Sequence, residues 1–147
     1  METMTQGDKN LLLKDLCARL PYGVKVNVIY SNENASSFRQ RVCVEGDNEL
    51  NTDIIGLYQR NEIDIKPYLF PLSSMTTEQK RELRQLDAFV STFGQICFYT
   101  YDDYGHELMP TYEDAIRITN WLIKNNFDYQ GLIPKDLAID ATGLNIY

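Results

Sequence analysis

The chain has 147 residues, enough to bury a core without disulfide or metal staples, and its 44% hydrophobic and 24% charged residues exclude a disordered or fibrous chain. A formal net charge of −7 opposes nonspecific attraction to nucleic acid and to anionic membrane surfaces. METMTQGDKN has no basic stretch leading into an apolar run, and no later run is long enough to span a bilayer. Neither a signal peptide nor a membrane segment is therefore expected, and the location read from the sequence is cytoplasmic.

In chain order, the first predicted element is a helix. Leu12, Leu13, Leu16, Cys17 and Leu20 fall on one helical face, with Lys9, Asp15 and Arg19 elsewhere around it. Thr5 or Asp8 can cap it, and Pro21-Tyr22-Gly23 stops it. A strand should follow at once, because Val24, Val26, Val28 and Tyr30 alternate with Lys25, Asn27 and Ile29. Ser31 to Ser36 has turn chemistry. Phe38 to Glu45 alternates again, and Glu45-Gly46-Asp47-Asn48 reads as a second turn. Asp53 to Tyr58 is expected as a third strand, with Gly56 marking a bulge or a close contact. After a turn at Arg60-Asn61-Glu62, Ile63 and Ile65 alternate with Asp64 and Lys66.

The stretch Lys66 to Leu86 joins this β-rich half to a helical, aromatic half. Pro67 and Pro71 lack backbone donors, so the run between them is expected to be extended, at a sheet edge or crossing the surface, and not a central strand. Thr76 stands three residues before Gln79, the spacing of a capping box. Leu83, Leu86, Phe89 and Val90 then predict a helix from about Thr77 to about Val90. Ser91 to Gly94 is a break. Gln95 to Tyr101 reads as a strand, although a helix running on through Phe98 would bury the same side chains. Asp102-Asp103-Tyr104-Gly105 is a turn. Thr111 and Asp114 open a last helix, whose face carries Ala115, Ile118, Trp121 and Leu122 and which ends at Asn125-Asn126. The tail from Phe127 to Tyr147 is too apolar to hang free and should dock on the body. The expected fold is a single α+β domain, 1–147, in which an antiparallel sheet of three to five strands is packed by about three helices.

Residues that could carry chemistry are few. The three cysteines, Cys17, Cys43 and Cys97, are far apart and lie among apolar neighbours, so they read as buried free thiols rather than a zinc site or a disulfide framework. With one histidine in the chain, a Ser–His or Cys–His pair would have to use His106. No Gly-x-Ser-x-Gly surrounds Ser73 or Ser74, and no phosphate-binding glycine loop occurs. Arg39 and Arg41, with Lys25 on a neighbouring strand, could hold an anion, or could pair across strands with Glu45 and Asp53. No catalytic residue and no cofactor are assigned. One alternative stays open: Asp102, Asp103, His106 and Glu107, in YDDYGHE, could ligate a divalent metal and make the chain a small metal-dependent enzyme. The simpler reading of those letters is a solvated polar turn.

Ten tyrosines are the remaining unusual feature. Tyrosine gives contact area and a polar tip at low entropic cost, so it is enriched both in wet-edged folds and at interfaces. A partner-binding face is accordingly expected around Tyr99, Tyr101, Asp102, Asp103 and Tyr104.

Three stretches carry a resemblance. They are Asp15-Leu16-Cys17-Ala18-Arg19-Leu20-Pro21-Tyr22-Gly23-Val24; Lys66-Pro67-Tyr68-Leu69 with Pro71 and Ser73-Ser74-Met75-Thr76; and the tail from Asn125, with Phe127-Asp128-Tyr129-Gln130-Gly131-Leu132-Ile133 and Lys135-Asp136-Leu137-Ala138-Ile139-Asp140-Ala141. Together they are similar to a group of small uncharacterised proteins of phages, prophages and mobile elements of gut anaerobic bacteria. Where those proteins read His-His before Phe-Asp-Tyr, this chain has Asn125-Asn126, so no role of those histidines carries over. The resemblance implies a phage or mobile-element origin and supplies no activity. The expectation is thus a non-enzymatic accessory protein that binds another protein, of host or phage, inhibition being one form this could take. No nucleic-acid or membrane partner is expected, and homo-oligomerisation stays open.

Overall fold

The structure is a computed structural model and describes residues 4–30 and 46–147. The expected strand Phe38 to Glu45, the turn before it, Cys43, Arg39 and Arg41 lie outside the described residues. The architecture is α+β, as expected: among the described residues there are four α-helices, a mixed sheet of five strands and a separate two-stranded sheet. The chain gathers into two compact units, Met1–Leu69 with Gly131–Tyr147, and Phe70–Gln130.

In the first unit, α1 spans Gln6–Arg19, and the Thr5 side chain accepts from the Asp8 backbone N–H, the capping role read from the sequence. Leu12 and Leu16 are fully buried, but the polar residues of this helix do not all face water. Asp15 and Arg19, expected away from the apolar face, are both 0% exposed. Arg19 Nε donates to Asp15 Oδ2 at 2.7 Å and its other arm reaches Oδ1 at 3.3 Å, a forked pair one turn apart. Cys17, expected inside, is exposed instead. Burying the forked pair therefore rotates Cys17 outward.

Strand β1 (Lys25–Tyr30) buries Val26 and Val28 as the alternation predicts. It pairs antiparallel with β2 (Gly46–Glu49), where a turn was expected. The polar letters of β2 are held by the ladder and by Asp47, whose carboxylate takes hydrogen bonds from Asn27 and from the Tyr68 hydroxyl. The expected strand Asp53 to Tyr58 is a helix, α2 (Thr52–Gln59). Asn51 Oδ1 accepts from the Ile54 N–H and caps it, and Ile54, Ile55 and Tyr58 then fall on one buried helical face.

Strand β3 (Ile63–Pro71) corrects the reading of the prolines. It is a central strand, flanked by β1 on one side and by β6 (Phe127–Asp128) on the other, with β7 (Ile139–Asp140) also on it. The prolines stand at the ends of its ladders. Pro67 closes the antiparallel register against Val26, the parallel register with β7 starts at Tyr68, and Pro71 is the strand's last residue. A missing donor costs least there. The two short parallel pairs, to β6 and β7, make the sheet mixed rather than wholly antiparallel. The tail docks as expected: Leu132, Leu137, Ala138 and Ala141 are buried, and the Tyr147 hydroxyl donates to the Tyr68 carbonyl at 2.7 Å.

The second unit has its own core of Leu72, Met75, Leu83, Ala88, Ile118, Leu122 and Phe127. Helix α3 (Thr77–Gln85) carries the predicted capping box, Thr76 and Gln79 bonding reciprocally. It ends at Gln85, about five residues short of the expected Val90: Asp87 takes φ 62°, and the chain turns into β4 (Ala88–Val90). β4 pairs antiparallel with β5 (Ile96–Phe98) across the predicted break, which decides the Gln95–Tyr101 question for a strand. Helix α4 (Tyr112–Lys124) has the predicted Thr111–Asp114 capping box and ends at Asn125. Its Trp121 ring stacks on Phe127 at 5.7 Å, and the indole N–H donates to Glu82 of α3 at 3.2 Å.

Candidate functional site

The expected partner-binding residues all belong to the second unit, in the segment that runs from β5 to α4. This segment is a tight excursion, not a loose loop. The Leu108 N–H donates to the Thr100 carbonyl at 2.7 Å, the Asp102 N–H to the His106 carbonyl at 2.9 Å, and Tyr101 bridges Glu107 in antiparallel fashion. Gly105 closes the turn at φ 83° with open space where a Cβ would stand, so its positive φ is what the turn requires.

Asp102 organises the turn. Its Oδ1 accepts from the backbone N–H groups of Tyr104 at 2.9 Å and His106 at 2.8 Å, and its Oδ2 lies 3.1 Å from His106 Nδ1. The His106 N–H, first among these donors, holds the Asp102 carboxyl below the usual carboxylate range. Asp103 points the other way, into solvent, 3.5 Å from the Arg84 guanidinium. That guanidinium also lies 5.5 Å from the centre of the Tyr99 ring, which in turn packs against Phe89 at 4.8 Å.

The structure therefore splits the expected set. Tyr101, Asp103 and Tyr104 are exposed, Tyr99 is half-buried as a platform, and Asp102 is turned inward to its own loop. The same geometry bears on the metal alternative: Asp102 is already an acceptor within the loop, and Asp103 is drawn toward Arg84. Among the described residues no group of three or more His, Cys, Asp or Glu side chains is placed to hold a metal ion.

Three exposed residues were not singled out from the sequence: Phe93 is 90% exposed, Met109 76% and Tyr112 82%. Phe93 carried a signal, since it sits at the tip of the Ser91–Gly94 break between two strands. Tyr112 did not. Its spacing from Ala115 and Ile118 puts it on the apolar face of α4, but burial along that helix begins only at Ile118. A small cleft of about 60 Å³ opens beside this surface, lined by Leu86, Asp87, Phe98, Tyr99, Leu108, Met109, Pro110 and Asp114. It is well below the roughly 300–1,000 Å³ of sites for metabolites and cofactors.

No family model, no curated protein and no solved structure matches the chain. No helix among the described residues is long and apolar enough to cross a membrane.

Proposed function

We propose that this chain is a non-enzymatic protein-binding module that presents the aromatic surface of its second unit to another protein. The similarity of its tail and of the Lys66–Thr76 segment to proteins of phages and mobile elements supports an accessory role directed at a host or phage protein. One observation carries the reading. Of the eleven exposed large hydrophobic side chains among the described residues, seven fall between Phe89 and Ile116: Phe89, Phe93, Tyr101, Tyr104, Met109, Tyr112 and Ile116. Singly exposed apolar residues need no explanation, but the gathering of seven of the eleven in one segment of one unit supports reading that segment as an interaction surface. The Thr100–Leu108 turn that carries two of the tyrosines is already fixed by backbone hydrogen bonds, so little ordering entropy is lost on docking.

The test is affinity capture from cell lysate with the wild type and with Tyr101→Ser/Tyr104→Ser/Tyr112→Ser. The proposal expects a protein retained by the wild type and lost by the triple variant, both having the same thermal midpoint. Equal retention by the two proteins would remove this surface from the account.

A further inference from the structure

The segment that carries the aromatic side chains is also strongly acidic. From Leu86 to Ile116 the sequence has Asp87, Asp102, Asp103, Glu107, Glu113 and Asp114 and not one Lys or Arg. Arg84 and Arg117, just outside it, pair with Asp103 and Asp114, and Asp102 is bonded within its own turn, so the charge offered to a partner rests on Asp87, Glu107 and Glu113. We infer that this surface binds a basic segment of its partner, with an arginine or lysine side chain seated in the cleft beside Tyr99; the inference rests on the protein-binding reading above. Three observations converge on it. The cleft has the composition such a side chain needs: apolar walls from Leu86, Phe98, Leu108 and Pro110 for the methylene stem, and the exposed Asp87 carboxylate at its edge for the cationic head, while Asp114, also on its lining, is held by Thr111 and Arg117. Its volume of about 60 Å³ suits the end of one side chain and not a metabolite.

The second observation is that the molecule already shows this mode of contact with its own residues. Arg84 places its guanidinium 5.5 Å from the Tyr99 ring centre and 3.5 Å from the Asp103 carboxylate, so ring and acid here can engage a cation together. The third is the exposure of Tyr101, Tyr104 and Tyr112 within the same acidic stretch. Exposed tyrosine faces interleaved with carboxylates favour arginine and lysine over an acidic or purely apolar partner, by ring quadrupole and by charge.

Fluorescence anisotropy with short labelled Arg–Gly, Lys–Gly and Glu–Gly repeat peptides tests this. Two charge-matched variants separate the surface from the overall charge. One is Asp87→Asn/Glu107→Gln/Glu113→Gln, in which asparagine tolerates the φ of 62° at position 87. The other neutralises three exposed acids of the first unit, Asp53→Asn/Asp64→Asn/Asp140→Asn. The basic peptides should bind and the acidic peptide should not. The first variant should weaken binding roughly ten-fold and the second should leave it within about two-fold. Equal weakening by both variants, or no binding of either basic peptide up to about 1 mM, overturns the inference. If capture in the preceding experiment still depends on the tyrosines, the protein-binding proposal stands without it.

Discussion

The two units divide the ten tyrosines evenly, and three of the five in each unit are used in contrasting ways. In the first unit three hydroxyls are tied inward. Tyr58 donates to the Met4 sulfur at 3.4 Å, Tyr68 to the Asp47 carboxylate, and Tyr147 to the Tyr68 carbonyl while accepting from the Lys25 N–H. In the second unit Tyr101, Tyr104 and Tyr112 stand in solvent. The lesson is that a tyrosine count does not distinguish a wet-edged core from a docking surface. What distinguishes them is whether the phenol's partner lies within the fold.

That contrast can be broken at several points. The largest effect is expected where the first unit buries charge. Asp15→Ala leaves the fully buried Arg19 guanidinium without its carboxylate and should cost about 3–5 kcal/mol, read as a shift of the urea midpoint. A loss under about 1 kcal/mol would show that the pair is not held dry.

Alkaline pH should weaken the first unit through its tucked phenols. Burial pushes the Tyr58 hydroxyl up to about 12 from 10.0, and burial likewise pushes Tyr147 up to about 12. A phenol that ionises later in the folded chain than in the unfolded one contributes stability that is complete below pH 10 and is lost as the pH climbs toward about 12. Tyr58→Phe should therefore lose less stability than the wild type between pH 9 and 11.5, measured by denaturant midpoints across roughly that range. Parallel loss in both proteins would place the alkaline sensitivity elsewhere.

In the second unit the fold and the surface should separate. Thr111→Ala removes the side-chain cap of α4 and should cost about 1 kcal/mol in thermal unfolding. The triple serine variant at Tyr101, Tyr104 and Tyr112 should change stability by less than about 0.5 kcal/mol, because these side chains are exposed. A larger loss would mean that the tyrosines hold the turn together and are not there to meet a partner.

How much of this the sequence disclosed depended on whether the signal was local. Both capping boxes, the alternation of β1, the Ser91–Gly94 break and the Asp102–Gly105 turn are written in a few adjacent residues, and each appears where it was expected. What stayed hidden was decided by distant partners. Ile54-Ile55-Gly56-Leu57-Tyr58 has the letters of a strand, yet the Asn51 cap and burial of Ile54, Ile55 and Tyr58 make it a helix against its own propensity. Gly46–Glu49 has the letters of a turn and becomes a strand because β1 supplies the ladder. The charged Asp15 and Arg19 were placed outside because neither belongs in a core by itself; as a forked ion pair each offsets the other's buried charge. At the candidate site, Tyr101, Asp103 and Tyr104 were legible as exposed polar-aromatic turn residues. Asp102 was not legible as the acceptor that shapes the turn, nor Tyr112 as an exposed ring.

The most direct test of the central claim is tyrosine footprinting with tetranitromethane, read by mass spectrometry on the free protein and on the protein captured with its partner. Tyr101, Tyr104 and Tyr112 should be nitrated in the free protein and protected in the complex, while Tyr22, exposed on the first unit, is nitrated in both. Protection of Tyr22 with continued nitration of Tyr101, Tyr104 and Tyr112 would contradict it.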